Sequence, residues 1–383
     1  MTHTTVAIIG GGPAGLLLAR MLHNAGIDSV VLESRDRAYV EQRQRAGMLE
    51  QGTVDALRDC GAGARMDREG LPHNGIELRF DRRAHRLDFP ALTGGSTVMI
   101  YAQTEIVKDL VALQLDEGGP LLFEARATGI GDGYVTYRHE GQEKTLTCDF
   151  IVGADGFHGI SRAAVPSGRV YEADYPYSWL GVLADVAPST DELIYAHSPR
   201  GFALHSMRSP TVSRLYLQVP NDTDPAEWGD EQIWDELDLR FAIDGDWKLA
   251  RGPITAKAVT PMRSFVTEPM RHGRLFLAGD AAHIVPPTGA KGLNLAVADV
   301  VVLARALEHW RRTGKDDLLA DYGDLCLRRV WRAEHFSWFM TTMLHLAPGQ
   351  SDYETRLQLA QLHRIATSEA AAAELALNYT GTV

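Results

Sequence analysis

Apolar and polar positions divide the chain into regions of different periodicity. Near the amino end, two short β-rich runs, residues 5–9 (TVAII) and 29–33 (SVVLE), flank a glycine turn and a stretch with helical spacing. Between about residues 175 and 265, segments such as FALHSMR alternate apolar and polar residues with period two, which is typical of half-buried strands. From about residue 291 to 379 the spacing is largely helical. The pattern predicts strand, helix, strand at the start, a sheet in the middle and helices at the end.

Length and composition are those of an ordinary soluble globular protein. The 383 residues are too many for one core, so two or more domains, or a large domain with an inserted one, are expected. The net charge of −12 argues against a general nucleic-acid binder. The three cysteines lie far apart without CxxC or metal-ligand spacing, which favours a reduced cytoplasmic protein with no metal site. Glycines and a proline interrupt the first apolar stretch, so neither a signal peptide nor a membrane span is expected.

Gly10, Gly12 and Gly15 fit the fingerprint GxGxxG between the first strand and the first helix. The first glycine allows a tight turn, the second lets the backbone approach a pyrophosphate, and the third lets helix and strand pack closely. Glu33 ends the second strand, 23 residues after Gly10, where its carboxylate can accept hydrogen bonds from a ribose. This context favours a dinucleotide site over another glycine-rich turn, and it does not separate NAD from FAD.

Two further apolar runs end in a glycine and an acid. Residues 148–162 (CDFIVGADGFHGISR) place Asp155 after a strand, and residues 274–280 (RLFLAGD) place Asp280 in the same way. Ligands of open α/β sheets bind outside the carboxyl ends of the strands, so both acids are candidates for one site. Each segment alone is also a common strand-ending turn, and Asp280 also fits a helix N-cap.

Together, the early GxGxxG, the central DG and the late GD segment resemble the flavoprotein aromatic hydroxylases, in which all three serve one FAD. Further segments are similar to the branch of that family that acts on 4-hydroxybenzoate, and with them the resemblance covers most of the chain. These segments are RAGMLEQG (45–52), YAQTE (101–105), DGFHGISR (155–162), ELIYAHSPRGFAL (192–204), GDAAHIVPPTGAKGLNLA (279–296) and Asn378-Tyr379.

The resemblance implies an α/β (α+β) fold: a Rossmann-like FAD-binding domain with an inserted β-sheet substrate domain and a helical C-terminal region. The implied FAD-binding domain is discontinuous and comprises residues 1–73, 98–175 and 266–345. The implied substrate-binding domain comprises residues 74–97 and 176–265, and residues 346–383 form a helical or interface segment.

The implied activity is FAD-dependent monooxygenation of 4-hydroxybenzoate at C3, giving protocatechuate, with O2 entering through a flavin C4a-hydroperoxide and NADPH or NADH as electron donor. A phenolate reacts with that weakly electrophilic oxygen far better than a phenol, so the protein must remove the phenol proton. Hydroxylation of 4-aminobenzoate or 3,4-dihydroxybenzoate, or a flavin oxidoreductase that inserts no oxygen, are the alternatives. The family also implies a homodimer; the apolar segment 336–346 (FSWFMTTMLHL) suits that interface or the core.

The residues that the resemblance assigns to the cofactors lie in these segments. For FAD they are Gly10, Gly12, Gly15, Glu33, Arg45, Gln103, Arg214, Asp280, Lys291, Gly292, Leu293 and Asn294. His158 and Arg162 are the implied contacts of the nicotinamide phosphates. Arg35 and Arg37 also suit a 2′-phosphate, but Asp36 lies between them, so the choice between NADPH and NADH stays open with a slight preference for NADPH.

The middle strands carry a candidate carboxylate site. Ser206 and Arg208 are two apart on one strand and share a face, as do Arg214 and Tyr216 on the next. Two arginines, a hydroxyl and a phenol suit a small carboxylate, which arginine binds bidentately, although surface arginines on an exposed sheet give the same pattern. The resemblance makes Ser206, Arg208 and Tyr216 the substrate clamp and Arg214 a residue that positions the flavin.

Four further residues are implied to act on the substrate's hydroxyl. Tyr195 contacts it, Tyr379 relays its proton, and His73 forms the solvent-facing end of the relay. By residue type alone, a tyrosine is usually a packing residue and a loop histidine usually has no such role. The carbonyl of Pro287, in the rigid Pro-Pro-Thr-Gly turn, is implied to accept from the hydroxyl of substrate or product, because proline fixes φ and leaves carbonyls free to accept.

Overall fold

The structure, a computed structural model, describes residues 2–43, 47–166 and 168–382. The strands in chain order are β1 Thr2–Ile9, β2 Ser29–Leu32, β3 Met48–Leu49, β4 Leu71–His73, β5 Gly75–Phe80, β6 Arg83–Asp88, β7 Val98–Ile100, β8 Leu121–Leu122, β9 Arg126–Gly131, β10 Tyr134–His139, β11 Gln142–Gly153, β12 Arg169–Ala184, β13 Leu193–Ala196, β14 Ala203–Ser209, β15 Val212–Val219, β16 Ile254–Glu268, β17 Arg271–His272, β18 Leu275–Leu277 and β19 His283–Ile284. The helices are α1 Pro13–Asn24, α2 Arg37–Gln42, α3 Gln51–Asp59, α4 Ala64–Glu69, α5 Phe89–Thr93, α6 Gln103–Asp116, α7 Asp230–Phe241, α8 Gly292–Thr313, α9 Asp317–Leu344, α10 Asp352–Thr367 and α11 Glu369–Thr380.

The first sheet brings the three glycine-acid segments together. Its strand order is β17-β18-β11-β1-β2-β8, and β10 and β9 extend from β11. The central strands β18, β11, β1 and β2 are parallel, and their last residues are in register: Leu277 opposite Gly153, Gly153 opposite Ile9, and Ile9 opposite Leu32. Because parallel strands end at one edge, the turns that follow them meet there.

Helices pack on this sheet through apolar stripes. α1 begins at Pro13, a residue whose fixed φ suits the first helical turn. α8 buries residues such as Leu295, Val300 and Leu303 in the same core as the strands, and it ends at Gly314, which has the left-handed φ of +71° common at helix C-termini. The sheet and these helices therefore share one hydrophobic core.

The second sheet has the strand order β19-β16-β12-β15-β14-β13-β5-β6, and all its pairs are antiparallel except β13 with β5. The predicted alternation gives it two buried faces: on β15, Leu215 and Leu217 face α7, whereas Tyr216 faces a cluster that includes residues of α9 and α11. The sequence predicts only strands for this region, and α7 is a difference. Its apolar residues follow helical spacing and cover the sheet's far face.

The expected α/β (α+β) class is confirmed by this arrangement of two mixed sheets and packed helices. Within the described ranges, none of the helices combines the length and apolar character that crossing a bilayer requires.

His345, directly after α9, ties that helix to the second sheet. Its Nε2 accepts a hydrogen bond from Trp179 Nε1 at 2.7 Å, and its Nδ1 lies 2.9 Å from the carbonyl oxygen of Thr341. The ring is 1% exposed and stacks on Tyr177, with 4.8 Å between ring centroids. Burial lowers the pKa of His345 to about 3, so the imidazole is neutral and carries its proton on Nδ1.

We expect the folded chain to lose stability in acid partly through His345. Between its unfolded pKa of 6.5 and its folded pKa of about 3, only the unfolded chain binds the proton, so the free energy of unfolding falls as pH falls. The slope for one such group is about 1.4 kcal/mol per pH unit. Urea denaturation between pH 4 and pH 7 should give a shallower slope for His345→Gln than for the unchanged chain. Equal slopes of unfolding free energy against pH in the two proteins would contradict this role of His345. Other titrating groups, such as Glu334, contribute equally to both proteins and therefore cancel.

Candidate active site

The glycine turn after β1 lies directly against the DG segment. Gly10 has a left-handed φ of +110°, and a Cβ added there would lie 2.2 Å from the carbonyl oxygen of Ala154. A Cβ added to Gly15 would lie 2.0 Å from the carbonyl oxygen of Gly10. In contrast, a Cβ on Gly12 would meet no atom of the described chain within 4 Å. Gly10 and Gly15 therefore serve the packing of the chain, whereas the space beside Gly12 is available to a ligand.

We expect Gly12→Ala to separate cofactor binding from folding. Its φ of −78° and ψ of −178° suit alanine, so the thermal unfolding midpoint of the apoprotein should stay within a few degrees of the unchanged chain. The methyl group would occupy the space that a pyrophosphate needs, so the FAD dissociation constant should rise by about tenfold or more. Gly10→Ala is the contrasting variant and should destabilise the apoprotein itself. Wild-type FAD affinity in Gly12→Ala would contradict the assignment.

Glu33 follows β2 at the same sheet edge and is held by the turn. Its Oε2 accepts from the backbone N–H of Gly11 at 2.7 Å, and its Oε1 accepts from the backbone N–H of Arg35 at 2.7 Å. A carboxylate oxygen can accept two hydrogen bonds, so Oε2 retains capacity for a ribose hydroxyl.

The two acids of the DG and GD segments differ in their surroundings. Asp155 Oδ2 accepts from the N–H and the hydroxyl of Ser161 at 3.0 and 2.9 Å, and burial raises the pKa of Asp155. Asp280 lies inside a 3-10 turn, Gly279–Ala281, whose N-cap position is Ala278. The alternative reading of Asp280 as a helix N-cap is therefore wrong.

Asp299, on α8, fixes the GD turn from behind. Its Oδ2 accepts from the backbone N–H of Gly279 at 3.0 Å and lies 2.7 Å from His283 Nε2. Burial disfavours the imidazolium form of His283, but the carboxylate of Asp299 outweighs it and the pKa of His283 is raised. The sequence motifs do not indicate Asp299; the available signal was a single acid within the apolar run LNLAVADVVVLARAL.

The Pro-Pro-Thr-Gly turn leads from this edge into α8. Pro287 begins a 3-10 turn, and its carbonyl oxygen accepts from the backbone N–H of Ala290 at 2.9 Å. The expectation that this carbonyl is free is therefore only half right, because one of its two lone pairs is already used. Thr288 Oγ1 lies 2.8 Å from Thr341 Oγ1 of α9, which supports the turn. The open N–H groups of α8 begin at Gly292, where they can meet negative charge.

The carboxylate-site residues lie close together on two neighbouring strands of the second sheet. Ser206 is opposite Arg214, and its hydroxyl donates to the carbonyl oxygen of Arg214 at 3.0 Å. Both arginines are partly buried, and Tyr216 is 9% exposed, so the alternative of surface arginines on an exposed sheet face does not fit. Burial and the like charge of Arg214 lower the pKa of Arg208. A bound carboxylate would offset that repulsion, which suits the site to an anionic ligand.

Tyr195 and Tyr379 form a buried pair beside this site. Their hydroxyl oxygens are 2.7 Å apart, and the two side chains are 1% and 0% exposed. Tyr195 is on β13, opposite Leu204 of β14, and Tyr379 is on α11. Burial raises the pKa of both tyrosines, so both hydroxyls are protonated at neutral pH. The pair can exchange protons along one short hydrogen bond.

His73 is not solvent-facing, and that expectation is wrong for this structure. It ends β4, is 2% exposed, and its Nδ1 is buried with no hydrogen-bond partner among the described residues. Burial lowers the pKa of His73 to about 4. Across the part of the chain that the structure describes, no hydrogen bond joins His73 to Tyr379.

Comparison with known proteins decides the family. Residues 3–337 match the family model described as an FAD binding domain. The p-hydroxybenzoate hydroxylase of Acinetobacter baylyi is 48% identical over 384 residues, which cover 99% of this chain and 95% of that protein. The chain belongs to the p-hydroxybenzoate hydroxylase family. FAD as the cofactor and a flavin-dependent monooxygenase are thereby confirmed.

Solved structures support the fold of this p-hydroxybenzoate hydroxylase family member. A p-nitrophenol 4-monooxygenase from Pseudomonas putida superposes with a TM-score of 0.83 at 20% identity, over 99% of this chain and 98% of that one. PqsL from Pseudomonas aeruginosa, a probable FAD-dependent monooxygenase, superposes with a TM-score of 0.80 at 22% identity, over 94% and 100% of the two chains. At these identities the likeness is one of fold alone.

The residues that the hydroxylase family predicts to contact FAD differ in their exposure and in their hydrogen bonds. Gln103 is the first residue of α6 and partly exposed, Leu293 is partly exposed at the start of α8, and Arg45 lies outside the described residues. Asn294 is buried: its amide nitrogen donates to the carbonyl oxygen of Met48 at 3.0 Å, and its oxygen accepts from the backbone N–H of Glu50 at 2.9 Å. Their contacts with a flavin stay predictions.

Lys291 is also buried within the protein's own contacts. Its Nζ lies 2.5 Å from Glu50 Oε1 and donates to the carbonyl oxygen of Tyr379 at 3.1 Å. Burial lowers the pKa of Lys291, although Glu50 opposes the shift. Glu50, which no sequence motif assigns a role, thereby connects the segment of residues 48–50 to the carboxyl end of α11.

The predicted nicotinamide contacts lie in a cluster of arginine and phenylalanine side chains. The Arg162 guanidinium carbon is 4.7 Å from the ring centroid of Phe157 and 4.6 Å from that of Phe265, while His158 is exposed. Arg162 Nη1 is buried with no partner among the described residues. Arg263 also lies over Phe157, at 4.9 Å, and was missed because its strand has weak alternation. An unpartnered guanidinium donor suits a phosphate.

Proposed function

We propose that this chain hydroxylates 4-hydroxybenzoate at C3 to give 3,4-dihydroxybenzoate, using FAD, O2 and NADPH or NADH. The observation that carries the proposal is the buried hydroxyl pair of Tyr195 and Tyr379, which lies in the same hydrophobic cluster as Tyr216 of the carboxylate site. The 48% identity to the hydroxylase of Acinetobacter baylyi supports it.

The substrate would span the strands of this sheet. Tyr195 on β13 and Tyr216 on β15 are separated by one strand, β14, so their backbones lie roughly 10 Å apart. A para-substituted benzoate carries its carboxylate and hydroxyl at opposite ends of a rigid ring. Arg208, Ser206 and Tyr216 would bind the carboxylate, provided that the Ser206 hydroxyl rotates away from the carbonyl oxygen of Arg214.

FAD, once bound and reduced by the nicotinamide, would supply the activated oxygen. The chain's own contribution is to hold the ring and to remove the phenol proton. Tyr195 would accept that proton while passing its own to Tyr379 across the 2.7 Å bond. Because burial raises the pKa of both tyrosines, neither is suited to hold negative charge, so the proton must pass through the pair rather than be stored. The proposed acceptor beyond the pair is the unpartnered Nδ1 of His73. No hydrogen bond joins His73 to Tyr379 in the described residues, so this last transfer would require the side chains to rearrange.

The test is a direct assay of the purified protein. We expect the absorption spectrum of bound FAD, a spectral change on titration with 4-hydroxybenzoate, and stimulated oxidation of NADPH or NADH with 3,4-dihydroxybenzoate as product. Parallel assays with 4-aminobenzoate and 3,4-dihydroxybenzoate distinguish related hydroxylases. Oxidation of the nicotinamide without any oxygenated product would refute the proposal in favour of a flavin oxidoreductase.

We propose His158 and Arg162 as contacts of the nicotinamide donor, on the strength of the unpartnered Arg162 Nη1. The choice between NADPH and NADH depends on the segment after Glu33. There Arg37 Nε is already paired with Glu41 Oε1 at 2.6 Å, and Asp36 caps α2 through the N–H of Tyr39. Rates with NADPH and with NADH measure the preference.

We also propose a homodimer. Most of the segment 336–346 belongs to the core, but Trp338 is 50% exposed and shares a helix face with Trp331, which is 40% exposed and packs against Tyr171. Exposed aromatic residues grouped in this way favour an interface between proteins. Light scattering after size exclusion should give twice the mass of one chain, and Trp338→Glu should give the single-chain mass.

A further inference from the structure

Thr104 links the two sheets at the carboxylate site. It is the second residue of α6, which packs on α1, and its side chain is 4% exposed. Its Oγ1 accepts a hydrogen bond from Arg208 Nη2 at 2.7 Å, and Arg208 belongs to β14 of the second sheet. A buried hydroxyl on a helix of one part of the fold therefore holds a guanidinium that projects from the other.

The Thr104 hydroxyl is also anchored on its other side. It lies 3.3 Å from Glu105 Oε1, which accepts from Lys108 Nζ at 2.9 Å, and Glu105 Oε2 is bound by Arg65 Nη1 at 2.5 Å. A hydroxyl that donates toward a carboxylate becomes a better acceptor, which favours the bond from the Arg208 guanidinium. The charge of Glu105 also attracts Arg208, whereas Arg214 repels it.

The geometry leaves Arg208 able to bind a ligand. A guanidinium has five N–H donors, and Thr104 uses one of them at Nη2. The arginine side chain is long and flexible, so fixing it before the substrate arrives removes an ordering cost from binding. We propose that Thr104 is a positioning residue that orients Arg208 for the substrate carboxylate and so sets both affinity and ring placement. This inference rests on the proposed function and deepens it.

The chain offers a closely matched pair of variants. Thr104→Val removes the hydroxyl and keeps the shape of the side chain, whereas Thr104→Ser keeps the hydroxyl. For the holoenzyme we expect the dissociation constant of 4-hydroxybenzoate to rise by about tenfold in Thr104→Val, the scale of ordering one long side chain on binding. It should stay within about twofold in Thr104→Ser. Because the ring would be placed less well, less of the nicotinamide oxidised by Thr104→Val should appear as hydroxylated product.

Phenol, which lacks the carboxylate, separates positioning from general damage. Its affinity should be equal in all three proteins, as should FAD affinity. The thermal unfolding midpoint of Thr104→Val should fall by no more than a few degrees, because Arg208 Nη2 loses its acceptor. Unchanged or tighter binding of 4-hydroxybenzoate in Thr104→Val, or an equal loss for phenol, would overturn the inference. If the valine variant does not fold, Thr104→Ala against Thr104→Ser makes the same comparison. Failure of the unchanged protein to bind or hydroxylate 4-hydroxybenzoate would instead refute the proposed function.

Discussion

Replacement of Tyr195 by phenylalanine is expected to leave binding of 4-hydroxybenzoate within a few-fold of the unchanged protein and to remove most of its hydroxylation. The variant loses the Oη that lies 2.7 Å from Tyr379 Oη and keeps the ring, which packs in the hydrophobic cluster that the second sheet forms with α9 and α11. Proton transfer by a positioned side chain typically contributes about 10²–10⁴-fold to a rate, so formation of 3,4-dihydroxybenzoate should fall by at least the lower figure. Nicotinamide oxidation should continue, with hydrogen peroxide released in place of product.

The control for this prediction is another buried tyrosine of the same cluster. Tyr177 is 4% exposed and stacks on His345 rather than on the tyrosine pair, so Tyr177→Phe should hydroxylate normally. Product and peroxide are measured separately, by chromatography and by a peroxidase-coupled assay. If Tyr195→Phe converts nicotinamide oxidation to product as fully as the unchanged protein, Tyr195 does not act on the proton.

The second large effect is expected at Arg208. Arg208→Lys keeps the charge but loses the planar pair of donors that a carboxylate binds. Loss of a hydrogen bond to a charged group costs about 1.5–3 kcal/mol, which corresponds to a rise of roughly 10- to 150-fold in the dissociation constant of 4-hydroxybenzoate. Flavin absorbance changes during titration report this constant directly.

Phenol again provides the control, since it cannot use the guanidinium. Its dissociation constant should be the same for Arg208→Lys and for the unchanged protein. An Arg208→Lys variant that binds the benzoate normally would show that the carboxylate lies elsewhere. In that case the partly buried like charges of Arg208 and Arg214 would need another anionic ligand.

The candidate site depends on residues whose role is indirect. Asp299 holds the GD turn, Glu50 pairs with Lys291, Thr341 contacts the Pro-Pro-Thr-Gly turn, and Thr104 holds Arg208. Each of these is buried and polar, and each is bonded to a residue that the sequence motifs indicate. Buried polar groups need such partners, so the motif residues could not be placed without them.

The sequence could predict the features that depend on neighbouring residues. Gly10 has a positive φ and no room for a Cβ, so only glycine fits there. The GxGxxG motif already indicates this in the sequence, because it requires glycine at that position. Period-two alternation was enough to place Arg214 and Tyr216 on one face, opposite Ser206 and Leu204. The register shifts between Met207 and Ser209, so the shared face of Ser206 and Arg208 stays a prediction. Periodicity did not predict α7. The region from about 175 to 265 was assigned to strands as a whole, because most of its segments alternate with period two.

The amino-acid sequence by itself determined the dinucleotide turn and the strand face that Arg214 and Tyr216 share, because these follow from φ, side-chain volume and periodicity over a few residues. The class of fold was predicted from the family resemblance of several segments taken together. Only the tertiary structure decided that Tyr195 bonds to Tyr379, 184 positions away, that Thr104 bonds to Arg208, 104 positions away, and that His73 is buried. Such pairings and burials depend on how distant elements pack, and no local rule contains that information.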